Sequence, residues 1–362
     1  MLIINPGSTS TKIGLYRDDE PVQIETLRHS AAELAQFPRL LDQFPFRRDL
    51  ILAWLSDQGV AVTDLDAVVG RGGLLRPIPG GTYQVDEAML ADLRVGVQGE
   101  HASNLGAPIA AEIAAAAGGC PSKPAFIVDP VVVDELEPVA RITGRPEIER
   151  RSIFHALNQK AVARRAARDL GVPYERLNLV VVHLGGGISV GAHRQGRVID
   201  VPNALDGEGP MSPERAGTVP SVGLVHLAFS WRYTLPELSR MIVGRGGLVA
   251  HLGSNDAREV EGRIQAGDAE AERVYRAMAY QVAKEIGRAA TALSGQVDAI
   301  VLTGGLAHSG MLTGWIQEQV EWIAPVKIYP GEDELQALAE GALRVLRGEE
   351  EAQVYAEAAG GR

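Results

Sequence analysis

The chain has 362 residues, with 35 basic and 46 acidic side chains and a net charge of −11. This length exceeds one typical hydrophobic core, so we expect two domains, and the acidic balance argues against nucleic acid or an anionic membrane as the main partner. The single cysteine, Cys120, excludes an intrachain disulfide and a cysteine-rich metal site. We interpret it as a small apolar filler. Without a charged leader or an apolar run approaching about 20 residues, the sequence predicts a cytoplasmic protein.

The beginning of the chain has the pattern of a phosphate-binding hairpin. The apolar residues 2–4 run into the polar segment 5–12, and the chain returns as a second apolar strand at residues 13–16. The tip offers backbone N–H groups, hydroxyls and one ammonium, which are the groups that a polyphosphate needs. The same residues also suit an ordinary Ser/Thr-rich turn, so this segment alone leaves both interpretations open.

The pattern recurs in the second half of the chain. Residues 179–184 form another apolar run, which ends on a glycine-rich tip at residues 185–187 and returns as a strand. A third apolar run, residues 298–303, ends on Gly304 and Gly305 after a helix-like segment at residues 271–293. A glycine at the end of a strand leaves room for a flat ligand to lie against the backbone. Two phosphate hairpins and such a ledge resemble the cleft of the actin-like ATPases and kinases.

Strand-like and helix-like segments alternate along both halves. The patterns predict helices at residues 45–58, 87–97, 107–117, 154–170 and 333–346, and strands at residues 67–69 and 125–128. Such alternation indicates an α/β protein with mixed sheets flanked by helices and with ligands at the carboxyl edges of the strands. Residues 348–362 are acidic and alanine-rich, and we expect them to fray.

Seven segments, in order from residue 4 to residue 312, resemble the acetate and butyrate kinase family, and within it the butyrate kinases. They are INPGSTSTKIGLY, GRGGLLRPIPGGTY, IVDPVVVDELEPVARITG, VVVHLGGGISVGAH, PMSPERAGTVP, GSNDARE and VLTGGLAHSGML. The resemblance implies two actin-like (ribonuclease H-like) domains with an ATP cleft between them. One comprises residues 1–147 and a returning helix at about 334–348, and the other, residues 148–333, binds the nucleotide.

The implied activity is reversible in-line phosphoryl transfer between ATP and butanoate, which gives butanoyl phosphate and ADP, with Mg²⁺ required. A carboxylate acceptor is already ionised at neutral pH, so the enzyme needs no general base for it. It must instead overcome the repulsion between two anions. Arginine suits this task, because its planar fork pairs with two oxygens of a carboxylate or phosphate at once. We also expect a homo-oligomer, a dimer or larger, with no nucleic-acid or membrane partner.

The resemblance assigns five catalytic residues. It implies that Arg71 holds the acyl carboxylate, Arg215 bridges the carboxylate and the γ-phosphoryl group, and Asp129 orients Mg²⁺ or its water. His155 and His183 match active-site histidines that would donate to the transferring group. Taken alone, each arginine also suits a surface position and each histidine a satisfied structural one.

The resemblance also places the nucleotide and the metal, and one position departs from the family pattern. Gln159 replaces a second histidine on the helix that follows His155. The matching nucleotide residues are Asn5, Ser8, Ser10 and Lys12 in the first phosphate loop, Gly185, Gly186 and Gly187 in the second, Asp256 and Arg258 near adenine and ribose, and Gly304 and Gly305 in the ledge. The matching metal residues are Asp129, Asp333 and Glu334. The acidic run 332–334 also suits an ordinary helix N-terminus.

The glycine pair after Arg71 carries an expectation about the substrate. Where the acetate branch has bulkier valines, this chain has Gly72 and Gly73, so we expect a wider acyl pocket that favours butanoate and admits branched acids. Phe154 is a candidate for the opposing wall and equally for the core. Two other classes stay open: another actin-like enzyme, such as a sugar kinase or a phosphatase acting on polyphosphate, and a non-catalytic nucleotide-binding module.

Overall fold

The computed structural model describes residues 1–119 and 122–360. Cys120, interpreted above as an apolar filler, lies outside the described residues. The strands are β1 (Leu2–Pro6), β2 (Ser10–Arg17), β3 (Glu20–Arg28), β4 (Val68–Arg71), β5 (Thr82–Gln84), β6 (Ala125–Val128), β7 (Asn178–Leu184), β8 (Ile188–Arg194), β9 (Arg197–Asp200), β10 (Ala299–Gly304), β11 (Val326–Pro330) and β12 (Gln353–Val354).

Helices connect and cover these strands. They are α1 (Ala31–Leu34), α2 (Phe44–Asp57), α3 (Glu87–Val95), α4 (Gly106–Ala116), α5 (Pro138–Arg141), α6 (Ala156–Leu170), α7 (Ser221–Ala228), α8 (Leu235–Ile242), α9 (Gly247–Leu252), α10 (Ala257–Gln265), α11 (Ala269–Ala292), α12 (Gly310–Val320), α13 (Glu334–Leu346) and α14 (Tyr355–Gly360). Short 3₁₀ turns join several of them. The predicted segments therefore correspond to observed elements, with ends displaced by up to three residues.

The chain divides into two compact units. Unit 1 comprises residues 1–134 and 333–362, and unit 2 comprises residues 135–332. The sequence-based boundary at 147/148 differs from this division by 13 residues. The difference arises because the segment after residue 134 bonds within unit 2: the Glu135 carboxylate pairs with the Lys160 ammonium at 3.0 Å, and the Glu137 N–H donates to the carbonyl of Ile199 at 3.0 Å.

Unit 1 contains a seven-stranded mixed sheet in the order β12-β5-β6-β4-β1-β2-β3. Strands β1, β4 and β6 are parallel to one another, while β2 and β3 form antiparallel hairpins with their neighbours. Apolar side chains from α2 and α4 pack on one face, against residues such as Ile4 and Ile13. Helix α13 packs on the opposite face, where Leu335 approaches Gly14 and Gly341 lies directly over Val128.

Unit 2 contains a five-stranded sheet in the order β11-β10-β7-β8-β9. Its strands alternate between two cores: Val180 and Val182 face α11 and α12, while Leu179 and Val181 face α6. This period of two is the expected consequence of a sheet buried on both faces. The order β9-β8-β7-β10-β11 repeats the order β3-β2-β1-β4-β6 of unit 1, so both halves share one topology.

The expectation that residues 348–362 fray is wrong for the described part of this segment. Strand β12 pairs in parallel with β5, and α14 follows it. Tyr355 is buried, and its hydroxyl donates to Asp92 Oδ2 at 2.7 Å and accepts from the Arg76 N–H at 3.1 Å. The composition of the segment is polar, but the pairing of β12 and the buried Tyr355 side chain fix it to unit 1.

Candidate active site

Three parallel strands of unit 1 place polar side chains at one edge of its sheet. Asn5 lies near the end of β1, Arg71 ends β4, and Asp129 directly follows β6. The register pairs Ile4 with Gly70 and Arg71 with Val128, so the three polar residues are neighbours across the sheet. Carboxyl edges of parallel strands are where α/β proteins bind ligands.

Arg71 is held by two partners in unit 1. Its Nη1 donates to Glu334 Oε2 at 2.9 Å and to Asn5 Oδ1 at 3.2 Å, and Asn5 Nδ2 donates to the same Glu334 oxygen at 2.6 Å. Within the described residues, Nη1 is the only guanidinium nitrogen of Arg71 that donates a hydrogen bond. The fork can therefore present other N–H groups to an anion while the Asn5–Glu334 pair holds its orientation.

The first phosphate segment is more regular than the sequence predicted. Residues 5–12 were expected to form a loop, but Asn5 pairs with Lys12 and Pro6 with Thr11 across a tight hairpin, so the turn is limited to Gly7, Ser8 and Thr9. Ser10 and Lys12 alternate with buried Thr11 on β2 and lie on its partly exposed face. Lys12 is thus on the same face as Asn5, its cross-strand partner.

Arg47 is a residue that sequence reasoning missed. Its side chain is 0% exposed and lies on the inner side of this hairpin, where Nη1 donates to the carbonyls of Gly7 at 2.8 Å and Ser10 at 3.2 Å, and Nη2 to the carbonyl of Ser8 at 3.3 Å. Burial lowers the pKa of its guanidinium to about 10. Its position in the first half of α2, three residues after Phe44, gave no signal of this role.

Asp129 has a structural partner as well as its place at the sheet edge. Its Oδ1 accepts from the N–H of Gly81 at 2.7 Å, and its own N–H donates to the Gly81 carbonyl at 3.0 Å. The residue is 2% exposed and has a positive φ of 37°. A non-glycine residue in this region is uncommon and often marks a functional site.

The second glycine tip lies against the loop that carries Arg215. The Gly186 carbonyl accepts from Ser212 Oγ at 2.7 Å, and a Cβ at Gly187 would lie 2.2 Å from Arg215 Nη1. Only glycine at position 187 lets the guanidinium approach the backbone so closely. Burial lowers the pKa of Arg215, while the neighbouring Glu214 acts in the opposite direction. The structure therefore places Arg215 beside the second glycine tip, and the predicted role of both in binding phosphate stays a prediction.

His155 and His183 form a stacked pair. Their ring centroids are 3.7 Å apart with an interplanar angle of 9°. His155 is the N-cap residue of α6, and its Nδ1 lies 2.8 Å from Ser189 Oγ. His183 lies on β7, is 2% exposed, and has Nδ1 2.7 Å from Asn158 Oδ1. Each ring thus has a fixed orientation, and Ser189 is a second site residue that the sequence pattern did not reveal.

Glu332 joins the histidine pair to the glycine ledge of unit 2. Its Oε1 is 3.2 Å from His183 Nε2 and accepts from the Gly305 N–H at 3.3 Å. Gly304 has φ of 92°, and a Cβ there would lie 2.3 Å from the Leu184 carbonyl oxygen. The ends of β7 and β10 therefore pack backbone against backbone, which only glycine permits here.

Asp256 and Arg258 pair with each other rather than with the glycine ledge. Asp256 caps α10, its Oδ2 lies 2.9 Å from Arg258 Nη2, and the Arg258 side chain is 92% exposed. Hydrogen bonds from Arg258 lower the pKa of Asp256. Their predicted role near adenine and ribose stays a prediction.

The predicted metal residues are engaged in other contacts. Asp333 caps α13 by accepting from the Gln336 N–H at 3.3 Å, and Glu334 accepts from Arg71 and Asn5. Among residues 1–119 and 122–360, no group of three or more Asp, Glu, His or Cys side chains could hold a metal ion. Mg²⁺ is commonly held by only one or two carboxylates together with substrate phosphates. Asp129 follows β6 at this sheet edge, and Glu334 contacts Asn5 and Arg71 there. Their two carboxylates are therefore the candidates to hold Mg²⁺ together with substrate phosphates.

The interpretation of Gly73 as an open pocket wall is wrong. A Cβ at Gly73 would lie 2.6 Å from Asn104 Cα and Oδ1, and one at Gly72 would lie 2.6 Å from Pro130 Cβ. Asn104 Oδ1 also accepts from the Leu74 N–H at 2.8 Å. Positions 72 and 73 therefore require glycine because neighbouring residues leave no room for a side chain at the end of β4. Phe154 is 3% exposed, as expected of a core residue.

Comparison with known proteins agrees with this fold. Residues 145–320, just under half of the chain, match the model of the acetokinase family. The structure is similar to an acetate kinase from Porphyromonas gingivalis, with 20% identity and a TM-score of 0.75 over 94% of this chain and 98% of that one. Two similar structures with the same coverage are a propionate kinase from Francisella tularensis subsp. tularensis, at 17% identity and TM-score 0.71, and an acetate kinase from Entamoeba histolytica, at 16% and 0.73.

The fold is therefore the mixed α/β, actin-like ATPase fold that acetate kinases share with sugar kinases of the ROK class. At these identities the likeness defines the fold, while the acetokinase match covers the segment from Arg145 through α12 and includes His155, His183 and Arg215. Within the described residues, no helix is both long and apolar enough to cross a membrane.

Proposed function

We propose that this protein is a kinase of short-chain carboxylic acids, which transfers the γ-phosphoryl group of ATP to a carboxylate and also catalyses the reverse reaction. The acetokinase match over residues 145–320 is the observation that carries this proposal. The butanoate preference is the finer proposal, and the ordered segments that resemble butyrate kinases support it. The glycine pair at residues 72 and 73 does not support the butanoate preference, because both positions are closely packed.

The proposed roles follow from charge and orientation. Arg71, oriented by Asn5 and Glu334, pairs with the acid's carboxylate, and Arg215, seated on the second phosphate hairpin, stabilises charge on the transferring phosphoryl. The stacked His155 and His183 donate hydrogen bonds to the transferring phosphoryl group. Lys12 and the hairpin N–H groups bind phosphate oxygens. Asp129 and Glu334 would hold Mg²⁺, with Asp333 beside them, and the ion would neutralise charge on the nucleotide phosphates.

A hydroxamate assay with ATP, Mg²⁺ and a panel of acids tests the proposal. We expect acyl hydroxamate from butanoate, isobutanoate and propanoate, with less from acetate. Glucose and glycerol should not stimulate ADP release, since a neutral hydroxyl needs a general base that this proposal does not require. ATP hydrolysis without any acyl phosphate, or transfer to a sugar hydroxyl, would exclude the carboxylate kinase.

We also propose that the protein is a homo-oligomer. Helix α7 and the turn after it leave large apolar side chains in solvent: Val222 is 68% exposed, Val225 53%, Phe229 76% and Trp231 96%. No residue of α7 is buried. A helix that leaves this many apolar side chains in solvent is typical of a subunit interface.

A further inference from the structure

Arg47 is a buried cation whose contacts are all neutral. Its six hydrogen bonds go to three backbone carbonyls, of Gly7, Ser8 and Ser10, to Thr11 Oγ1, and twice to Gln43 Oε1. Within residues 1–119 and 122–360 it forms no ion pair. Its acceptors satisfy the N–H groups of the guanidinium, but no carboxylate balances its charge.

A buried charge without a counter-ion is costly, and proteins normally pair it or bury an apolar residue instead. His29, which contacts the same Thr11 hydroxyl as Arg47, adds no negative charge, because burial and then the charge of Arg47 lower the pKa of His29. The neutral contacts could be made by a smaller uncharged donor. The retained charge indicates a partner that is negative and is not part of the protein.

The outer side of the same hairpin has the complementary property. Ser8 and Thr9 are exposed, and among the described residues neither of their backbone N–H groups donates a hydrogen bond. By binding the carbonyls of residues 7, 8 and 10 on the inner side, Arg47 leaves the turn with its donors outward. Successive free N–H groups of a turn form an anion-binding concavity.

We propose that Arg47 is the fixed positive charge beneath the first phosphate hairpin and that it strengthens the binding of the nucleotide's phosphate chain without touching it. The inference rests on the proposed function, because the anion it assigns is the polyphosphate of ATP. Arg47 is in this sense a positioning residue: it fixes the turn and supplies a field that grows with the charge of the ligand.

The test is equilibrium binding of adenosine, AMP, ADP and ATP, measured by calorimetry on the full chain and its variants. For a charge several ångströms from the phosphates, we expect Arg47→Met to weaken ATP binding roughly 10- to 100-fold. The loss should shrink from ATP to ADP to AMP, and adenosine binding should be unchanged. Arg47→Lys keeps the charge, so it should retain ATP affinity within about fivefold, while its thermal stability falls.

Arg48→Met is the matched control. Arg48 is the next residue of α2, is paired with Asp49 and Glu112, and has no contact with the hairpin, so the same change in net charge should leave ATP affinity unaltered. Equal losses for adenosine and ATP in Arg47→Met, or no loss, would overturn the role of Arg47. If Arg47→Met does not fold, a loss of ATP affinity of more than fivefold in Arg47→Lys would overturn the role of the Arg47 charge. Absence of ATP binding by the wild type would instead overturn the proposed function.

Discussion

Two arginines carry the proposed chemistry at the scale of single residues. Arg71 and Arg215 belong to different units. Arg71 donates hydrogen bonds to Asn5 and Glu334, and the Arg215 guanidinium packs against the backbone of Gly187. We expect Arg71→Ala and Arg215→Ala each to lower kcat by roughly 10²- to 10³-fold, the usual loss when one preorganised charge stabiliser is removed. Turnover is measured on variants shown to be folded by circular dichroism. Near wild-type rates in both would contradict their assignment.

Gly73 is required by packing, and this gives a prediction different from that of a pocket wall. Because a Cβ would enter the contact with Asn104, Gly73→Ala should lower the free energy of unfolding by about 1–3 kcal/mol. Gly144→Ala is the control, since a Cβ there meets nothing within 4 Å. Urea unfolding measures both. A Gly73→Ala variant that is as stable as the control, with an altered preference among acids, would restore the pocket interpretation.

At the scale of elements, a buried polar chain connects α6 to β8. Gln159 Nε2 donates to the Ser189 carbonyl at 3.0 Å and to Ser189 Oγ at 2.8 Å, and Gln159 Oε1 lies 3.0 Å from His193 Nε2. Since the carbonyl can only accept, the amide nitrogen must face Ser189, and Oε1 must accept from His193. Tyr174 then donates to His193 Nδ1, at 2.7 Å. Gln159, where the family pattern has histidine, is thus a structural link.

This chain predicts how stability depends on pH. Burial, and then the charges of Lys160 and Arg164, lower the pKa of His193 well below 6.5. The folded state therefore keeps His193 neutral, while the unfolded chain binds a proton below about pH 6.5. Stability due to this residue is complete above that pH and is lost as the pH falls, by up to about 1.4 kcal/mol per pH unit.

Urea unfolding between pH 7.5 and 5 measures the effect, with His193→Gln as the comparison. His29 has a pKa lowered in the same direction, so the variant should reduce the slope without abolishing it. If wild type and variant lose stability equally over this range, His193 is not kept neutral by the fold.

The sequence predicted most elements because their signals are local. The apolar runs of β6, β7 and β10, ended by Asp129 after β6 and by glycines after the other two, specify buried strands that stop at a sheet edge. Segments whose state depends on distant partners were predicted less well. Residues 5 and 12, predicted to lie in a loop, instead pair across strands β1 and β2. The C-terminal segment, predicted to fray, is ordered in part because the Tyr355 hydroxyl donates a hydrogen bond to Asp92. The pattern after β4 could not tell a glycine that widens a pocket from one pressed against Asn104.

At the scale of the whole molecule, the exposed side chains of α7 and its turn predict self-association. Together with Leu235, which is 79% exposed, they leave on the order of 600–800 Å² of apolar surface in solvent, about what each partner of a standard interface buries. We expect the wild type to sediment as a dimer or larger, and Val225→Glu combined with Phe229→Glu to give a 38.6 kDa monomer.

Trp322→Glu provides the control for that experiment, because Trp322 is 79% exposed but lies outside α7, the turn after it and Leu235. It should leave the sedimentation coefficient unchanged. A wild type that stays monomeric at 100 µM would show that this surface does not join copies of the chain.

The division of unit 1 into two chain segments has a consequence for synthesis. Residues 135–332 are continuous, so unit 2 can fold as soon as it leaves the ribosome. The sheet of unit 1 is made earlier, yet one of its faces is covered by Leu335, Leu338 and Ala342 of α13, which are translated about two hundred residues later. During that interval its β1, β4 and β6 strands have an uncovered apolar face. The part of the protein that is made first is therefore the part that finishes folding last, and it is the part on which a chaperone would act.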